Sequence, residues 1–396
     1  MPQGRELELF RRQLLTWFRR SQRDLPWRRT NDAYRIWLSE IMLQQTRVAA
    51  AIPYYERFLE RFPEIRSLAD APQEEVLRLW AGLGYYSRAR NLQKAAQQIV
   101  AQHAGKFPCE EETVRNLPGI GDYTAAAILS IAFGAKRAVL DGNVARVLAR
   151  LGAVGGDVRE PSRWRALQKT ADGLLERRAP GEWNQALMEL GATVCTPRGP
   201  QCLLCPVAKF CKARQLGDPE AFPEKRAKRE SVEIRLAVAV LVNPAGQTLL
   251  LPPPQRAEKK AADDVAALVS GMWHFPTVVA GDEPLSKLRE LLAATWPGKK
   301  NLPGVEAASF EALATVKHAV TYRNVIVLPF RLAVRAIPKV SGAKIVSLSE
   351  LSTLPVSNLT RKIAGRALAE SREKQPRAEV QQSGMLWRAA ASAGER

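Results

Sequence analysis

The sequence, 396 residues long, has no long apolar run. Its longest mostly apolar stretch, Tyr123 to Ala135, is too short to cross a bilayer and reads as a buried helix. The opening residues, MPQGRELELFRRQLL, carry charges where a secretory leader needs an apolar core. These absences predict a cytoplasmic protein without membrane contact. Cysteine is scarce, five in all, and negative charge is in short supply: 40 Asp and Glu stand against 59 Lys and Arg, a formal charge of +19. That imbalance points to a polyanionic partner, nucleic acid before membrane. Charged residues at 25% and hydrophobic residues at 46% exclude a chain disordered throughout. The length calls for two or three domains.

The few cysteines are not scattered. Cys195, Cys202, Cys205 and Cys211 follow one another as C-x6-C-x2-C-x5-C, and Cys109 stands apart as an ordinary thiol. A cytoplasmic chain disfavours a disulfide framework. Four thiols so close suit structural zinc or an iron–sulfur cluster. Zinc sites more often show two short Cys pairs, and here there is one C-x2-C, so the spacing leans towards iron–sulfur.

Helical spacing dominates to about residue 215. Leu7, Phe10, Leu14, Leu15 and Phe18 recur on one face, and 34–46, 74–80, 89–102, 123–133, 144–151 and 183–194 read the same way. A basic, Pro-bearing stretch, GDPEAFPEKRAKRE, then reads as a linker over 217–233. Beyond it the pattern turns to strands at 234–242, 248–251, 274–279, 316–320 and 324–334, with one helix at 285–294. This predicts a small α+β domain over 234–368 and a disordered tail over 369–396.

Three places carry candidate chemistry. Leu117-Pro118-Gly119-Ile120-Gly121-Asp122 joins an acidic segment to an apolar helix. Gly119 and Gly121 permit a tight turn whose N–H groups can meet a DNA phosphate, although a Gly-x-Gly turn is often only a turn. Glu40 is a single carboxylate amid apolar neighbours, which favours its protonated form and suits general acid work; the plainer alternative is an exposed glutamate on an amphipathic helix. Asp141, in Leu140-Asp141-Gly142-Asn143-Val144, fits a helix N-cap, or a charge that stabilises a cation in a bound substrate. A protonated and an ionised carboxylate together are the apparatus that cleaves glycosidic bonds. Trp27, Arg28, Tyr85, Tyr86, Arg88 and Arg90 interleave aromatics with arginine, a pattern that suits stacked bases and phosphates as well as a core.

In this order the pieces resemble the helix-hairpin-helix DNA glycosylase superfamily, and within it the MutY-type adenine DNA glycosylases. The matching segments are Asp24-Leu25-Pro26-Trp27-Arg28, Ser39-Glu40-Ile41-Met42-Leu43-Gln44-Gln45-Thr46, Gly82-Leu83-Gly84-Tyr85-Tyr86-Ser87-Arg88-Ala89-Arg90-Asn91-Leu92 and Cys195-Thr196-Pro197. The resemblance covers nearly all of residues 5–215. It implies a mainly α glycosylase domain over 1–216 with two helical lobes: a six-helix module at about 27–134 and a cluster lobe from 1–26 and 135–216. It implies a [4Fe–4S] cluster on Cys195, Cys202, Cys205 and Cys211 that fixes a basic loop, Arg198 included, against the phosphate backbone. The implied substrate is duplex DNA with adenine opposite 8-oxoguanine or guanine, and the implied protein is a monomer associated with the nucleoid.

The same resemblance implies the roles. Glu40 protonates adenine N7, Asp141 stabilises the developing oxocarbenium ion electrostatically or by transient covalent capture, and Tyr123 and Asn143 orient them. Arg23, Trp27, Arg28 and Gln185 line the adenine pocket. Gln45, Leu83 and Tyr85 wedge into the duplex, with Thr46, Gly119 and Gly121 also against DNA. Endonuclease III-type relatives carry a catalytic lysine where this chain has Tyr123, so a monofunctional enzyme is implied. An endonuclease III-like glycosylase/lyase and a non-catalytic iron–sulfur DNA-binding protein are the alternatives. The second half, through Gly271-Met272-Trp273-His274-Phe275-Pro276, resembles the Nudix-like 8-oxoguanine recognition domain of that family. Arg289-Glu290-Leu291 is followed by Ala293 and Ala294 where a nucleotide hydrolase needs carboxylates, so recognition without hydrolysis is implied. Val320-Thr321-Tyr322 replaces the usual Phe-Ser-His, and Thr321 keeps a hydroxyl for the lesion.

Overall fold

The computed structural model describes residues 1–224, 230–252, 272–295, 310–320 and 322–373. They group into two compact units: Met1–Ser231 with Thr353–Ser357, and Val232–Ser352 with the segment from Asn358. As the apolar spacing led us to expect, the first is helical and the second mixed α and β.

The first unit runs α1 (Gly4–Ser21), α2 (Ala33–Leu43), α3 (Val48–Arg61), α4 (Ile65–Asp70), α5 (Gln73–Trp80), α6 (Ser87–His103), α7 (Glu111–Arg115), α8 (Asp122–Phe133), α9 (Gly142–Gly152), α10 (Pro161–Leu174), α11 (Pro180–Thr193) and α12 (Lys212–Gln215). One core joins the two ends of this unit. Phe10, Leu14 and Phe18 of α1 pack with Leu148 of α9, Leu167 of α10 and Trp183 of α11, all at most 2% exposed. Burying side chains of this size is worth about 2 kcal/mol each, which fixes α9 and α11 side by side.

α2 is buried around most of its surface, from Tyr34 through Met42, with α8 packed along it. Asp32 caps its start by accepting from the Arg35 N–H at 2.8 Å. Helical spacing continues in the sequence to Thr46, yet α2 ends at Leu43, because Gln45 takes the left-handed φ of +57°. The α7–α8 hairpin turns at Gly119, whose φ of +82° and close approach to Asn91 leave no room for a Cβ.

In the second unit β1 (Val232–Val242) lies parallel to β6 (Arg323–Ala333) along its whole length. β3 (Thr277–Val279) pairs with β1, and β4 (Phe310–Ala312) and β5 (Val316–Val320) pair with β6. β2 (Gln247–Leu250) and β7 (Lys344–Ser347) form a separate ribbon. Leu288 and Leu292 of α13 (Pro284–Thr295) pack on Ala237, Ala239 and Leu241 of β1.

Three sequence expectations are corrected here. β1 starts at Val232, two residues inside the expected linker, whose residues 225–229 lie outside the described set. The strand expected at 274–279 is cut to Thr277–Val279, because Pro276 has no N–H for a ladder; His274 keeps only an isolated bridge to Leu251. The expected end at 368 falls within α14 (Asn358–Glu373), which continues on good helix formers; residues 374–396 of the expected tail lie outside the described set. Gly271 and Thr321 also lie outside it. No helix among the described residues is long and apolar enough to cross a membrane.

Candidate active site

The first unit contains a cavity of about 400 Å³. Arg23, Trp27 and Arg28 line one part, Glu40, Gln45 and Thr46 another, and Tyr123, Asp141, Asn143 and Gln185 the rest. Ten positions drawn from five separate stretches of sequence thus open on one space.

Glu40 sits on α2 and is only 6% exposed. Its Oε2 accepts from the Tyr123 hydroxyl at 2.8 Å, and Met188 Sδ lies 3.3 Å from the same hydroxyl. Burial is the main reason its pKa is raised to about 7; the Tyr123 bond opposes the rise and the charge of Asp141 adds to it. Tyr123 is itself pushed well above its ordinary value, mostly by burial. The pair therefore holds protons near neutral pH, a state suited to donation.

Asp141 caps α9. Its Oδ1 accepts from the Val144 N–H at 2.7 Å and its Oδ2 from Asn143 Nδ2 at 3.1 Å. Burial raises its pKa while these bonds pull the other way. Behind it Arg146 donates to Asn143 Oδ1 at 3.0 Å, to the Gly191 carbonyl at 2.7 Å and to the Cys195 carbonyl at 2.9 Å. α11 presses on the start of α9 at Gly191, where a Cβ would meet Asn143 atoms at 2.9–3.2 Å.

Glu189 also lines the cavity and escaped the sequence reading. It is fully buried, and its carboxylate accepts from Arg23 Nε at 2.8 Å and from Nη2 of both Arg23 and Arg28 at 2.7 Å. Burial would raise its pKa, but the arginine bonds dominate and hold it at about 2. It lies four residues after Gln185 on α11, a spacing that puts both on one face and was the available signal. The cavity so contains an anion clamped by two cations beside an acid that still carries its proton up to about neutral pH.

The remaining predicted residues lie elsewhere. Tyr85 and Gly119 line a second recess, which shares Gln44 and Gln45 with the first. Tyr85 is 42% exposed, whereas Leu83 is 8% exposed. Gly121 caps the start of α8. The four cysteines line a small cavity of their own with Arg150, whose guanidinium donates to Cys195 Sγ at 3.3 Å and to the Thr196 carbonyl at 2.7 Å. Burial pushes the Cys205 thiol up to about 12 and raises Cys211. The thiols ring this space without converging on one point, and among the described residues no group of three or more His, Cys, Asp or Glu side chains is drawn together as single-ion ligands.

Residues 38–171 match the model of the HhH-GPD superfamily of base excision DNA repair proteins. The adenine DNA glycosylase of Homo sapiens is 36% identical over 90% of this chain and 74% of its own length. The chain belongs to the adenine DNA glycosylase family. The Rattus norvegicus member is 35% identical over 90% of this chain and 78% of its own. A solved structure of a thermostable thymine-DNA glycosylase is 29% identical, covering 53% of this chain and 97% of that one with a TM-score of 0.49. As a family member the chain is a DNA N-glycosylase, a hydrolase of base excision repair.

Proposed function

We propose that this glycosylase removes adenine from duplex DNA where adenine stands opposite 8-oxoguanine or guanine. The observation that carries the reading is Glu40: a buried carboxyl with its pKa raised to about 7, bonded to Tyr123 within a cavity that Asp141 shares. An extruded adenine enters between Trp27 and the Arg23–Glu189–Arg28 cluster. Glu40 protonates N7, so that the base leaves as a neutral molecule. Asp141, held by Val144 and Asn143, faces the positive charge that grows on the sugar. Glu40, by then ionised, draws a proton from the attacking water. Tyr123 occupies the space where a lyase needs an amine, so the reaction ends at the abasic site.

The four cysteines would hold a [4Fe–4S] cluster. Soft thiol donors around one cavity fit such a group, and when bound it fixes the 195–211 loop rather than reacting. Arg150 orients Cys195 from outside the ligand set. The protein works as a monomer, bound to DNA in the cytoplasm, and the second unit is a Nudix-like reader of the base opposite adenine.

A single-turnover assay on duplex DNA with adenine opposite 8-oxoguanine tests this. The intact chain is expected to release adenine and leave the strand uncut, and Glu40→Gln to release none. No release by the intact chain, or normal release by the variant, overturns the assignment.

A further inference from the structure

Arg88 is the second residue of α6 and is 9% exposed. Its guanidinium meets six oxygens on two separate stretches of chain. On the α2 side it donates to the carbonyls of Ile41 at 2.9 Å and Met42 at 3.0 Å, to that of Gln44, and to Thr46 Oγ1 at 3.3 Å. On the other side it donates to the carbonyls of Leu83 at 3.3 Å and Gly84 at 3.2 Å. Its flat face lies 5.4 Å from both the Trp80 and the Tyr85 ring centroids. All these partners are carbonyls, a hydroxyl and rings, an arrangement that only a planar multidentate cation can satisfy.

The two stretches share a second property. Gln45 has φ +57° and Tyr85 has φ +48°, left-handed conformations that side chains rarely adopt. Such residues persist only where their surroundings over-determine them, and they gather at sites that need a fixed geometry. Arg88 bonds on both flanks of Gln45 and to the residue before Tyr85. Both side chains are exposed at the rim of one recess. The same cation covers the last carbonyls of the helix that carries Glu40, where positive charge complements the helix dipole.

We infer that Arg88 is a positioning residue for base extrusion: one guanidinium locks the Gln45 turn to the Tyr85 turn and both to the end of α2, so that the two side chains meet DNA as a preformed wedge. This rests on the reading of Gln45 and Tyr85 as the residues that enter the stack. The cost of ordering the turns is met before DNA arrives, which lowers the barrier to extrusion and leaves the chemical step to Glu40 and Asp141.

The test uses Arg88→Lys in the full chain, which keeps the charge but cannot bridge both turns. Single-turnover release is measured on two duplexes with adenine opposite 8-oxoguanine. One is fully stacked, and in the other mismatched flanking pairs open the stack. The variant is expected to lose about tenfold or more on the first and less than about threefold on the second, since extrusion is the slowed step. A variant with a lowered melting temperature is assayed below its transition, where the ratio between duplexes still decides. Equal losses on both duplexes, or none, overturn the inference. Adding Tyr85→Ala to Arg88→Lys is expected to cost less than Tyr85→Ala costs alone, because the two act as a unit; multiplying losses overturn it. Failure of the intact chain to release adenine from either duplex overturns the underlying reading as well, and is distinct from an active parent whose variant loses equally on both.

Discussion

Two carboxylates in one cavity have opposite fates. Glu189 is held at about 2 by two arginines, and Glu40 is raised to about 7 by burial. A general acid must carry its proton, so single-turnover release is expected to be level below pH 7 and to fall about tenfold per pH unit above it. A profile flat from pH 6 to pH 9 would contradict the role given to Glu40. The same carboxyl sets a sign for stability. The unfolded chain ionises Glu40 near pH 4.5 and the folded chain near 7, so the folded state binds more protons between these values and stability falls as pH rises through that window. Glu40→Gln is therefore expected to melt higher than the parent at pH 8 and similarly at pH 4, while losing activity; calorimetry at both values checks this. Glu40 was legible in the sequence because it stands alone among apolar neighbours. Glu189 was less so, because its partners Arg23 and Arg28 come from the far end of the unit and its spacing from Gln185 marks a shared face but not the clamp.

Elements place these groups by their ends. α9 begins at Asp141 and α8 begins just past Gly121, so Tyr123, Asp141 and Asn143 stand at the starts of helices, with the α9 start fixed by the Asp141 cap as well as by packing. Asn is as good a cap as Asp, but it carries no charge. Asp141→Asn is expected to leave the melting temperature within a few degrees of the parent and to abolish base release; a large fall in melting temperature would show the carboxylate to be chiefly structural. Helix positions were legible from the spacing of apolar residues, as in α1, α5 and α8. The ends were less so: α2 stops short of Thr46 because of one left-handed residue, which no apolar pattern encodes. The short strands β4 and β7 escaped notice because three or four residues give little alternation to read. Their partners in β6 and β2 are distant in sequence.

Across the whole chain the charge surplus is shared. Residues 1–222 carry 33 Lys and Arg against 24 Asp and Glu, a net +9, and the remainder carries 26 against 16, a net +10. Both halves suit a polyanion. If the second unit reads the base opposite adenine, a chain ending at Ser231 is expected to release adenine still, while losing preference for 8-oxoguanine over guanine as partner. An unchanged rate ratio between the two opposing bases would assign that reading to the first unit. The division into helical and mixed halves was visible in the change of pattern after residue 215. The cavity was not, since its walls come from residues 23–28, α2, α8, the start of α9 and α11, which lie far apart in the sequence. Asp141 shows what this economy of construction means over evolutionary time. One side chain starts a helix and, in the proposed reaction, faces the sugar, and the two duties tolerate different replacements: Asn, Ser and Thr preserve the first and forfeit the second. On the proposed reading, an Asn at this position would give a protein that folds and binds the mispair without releasing the base. A change there would then be expected to interfere with an active copy rather than simply to remove one.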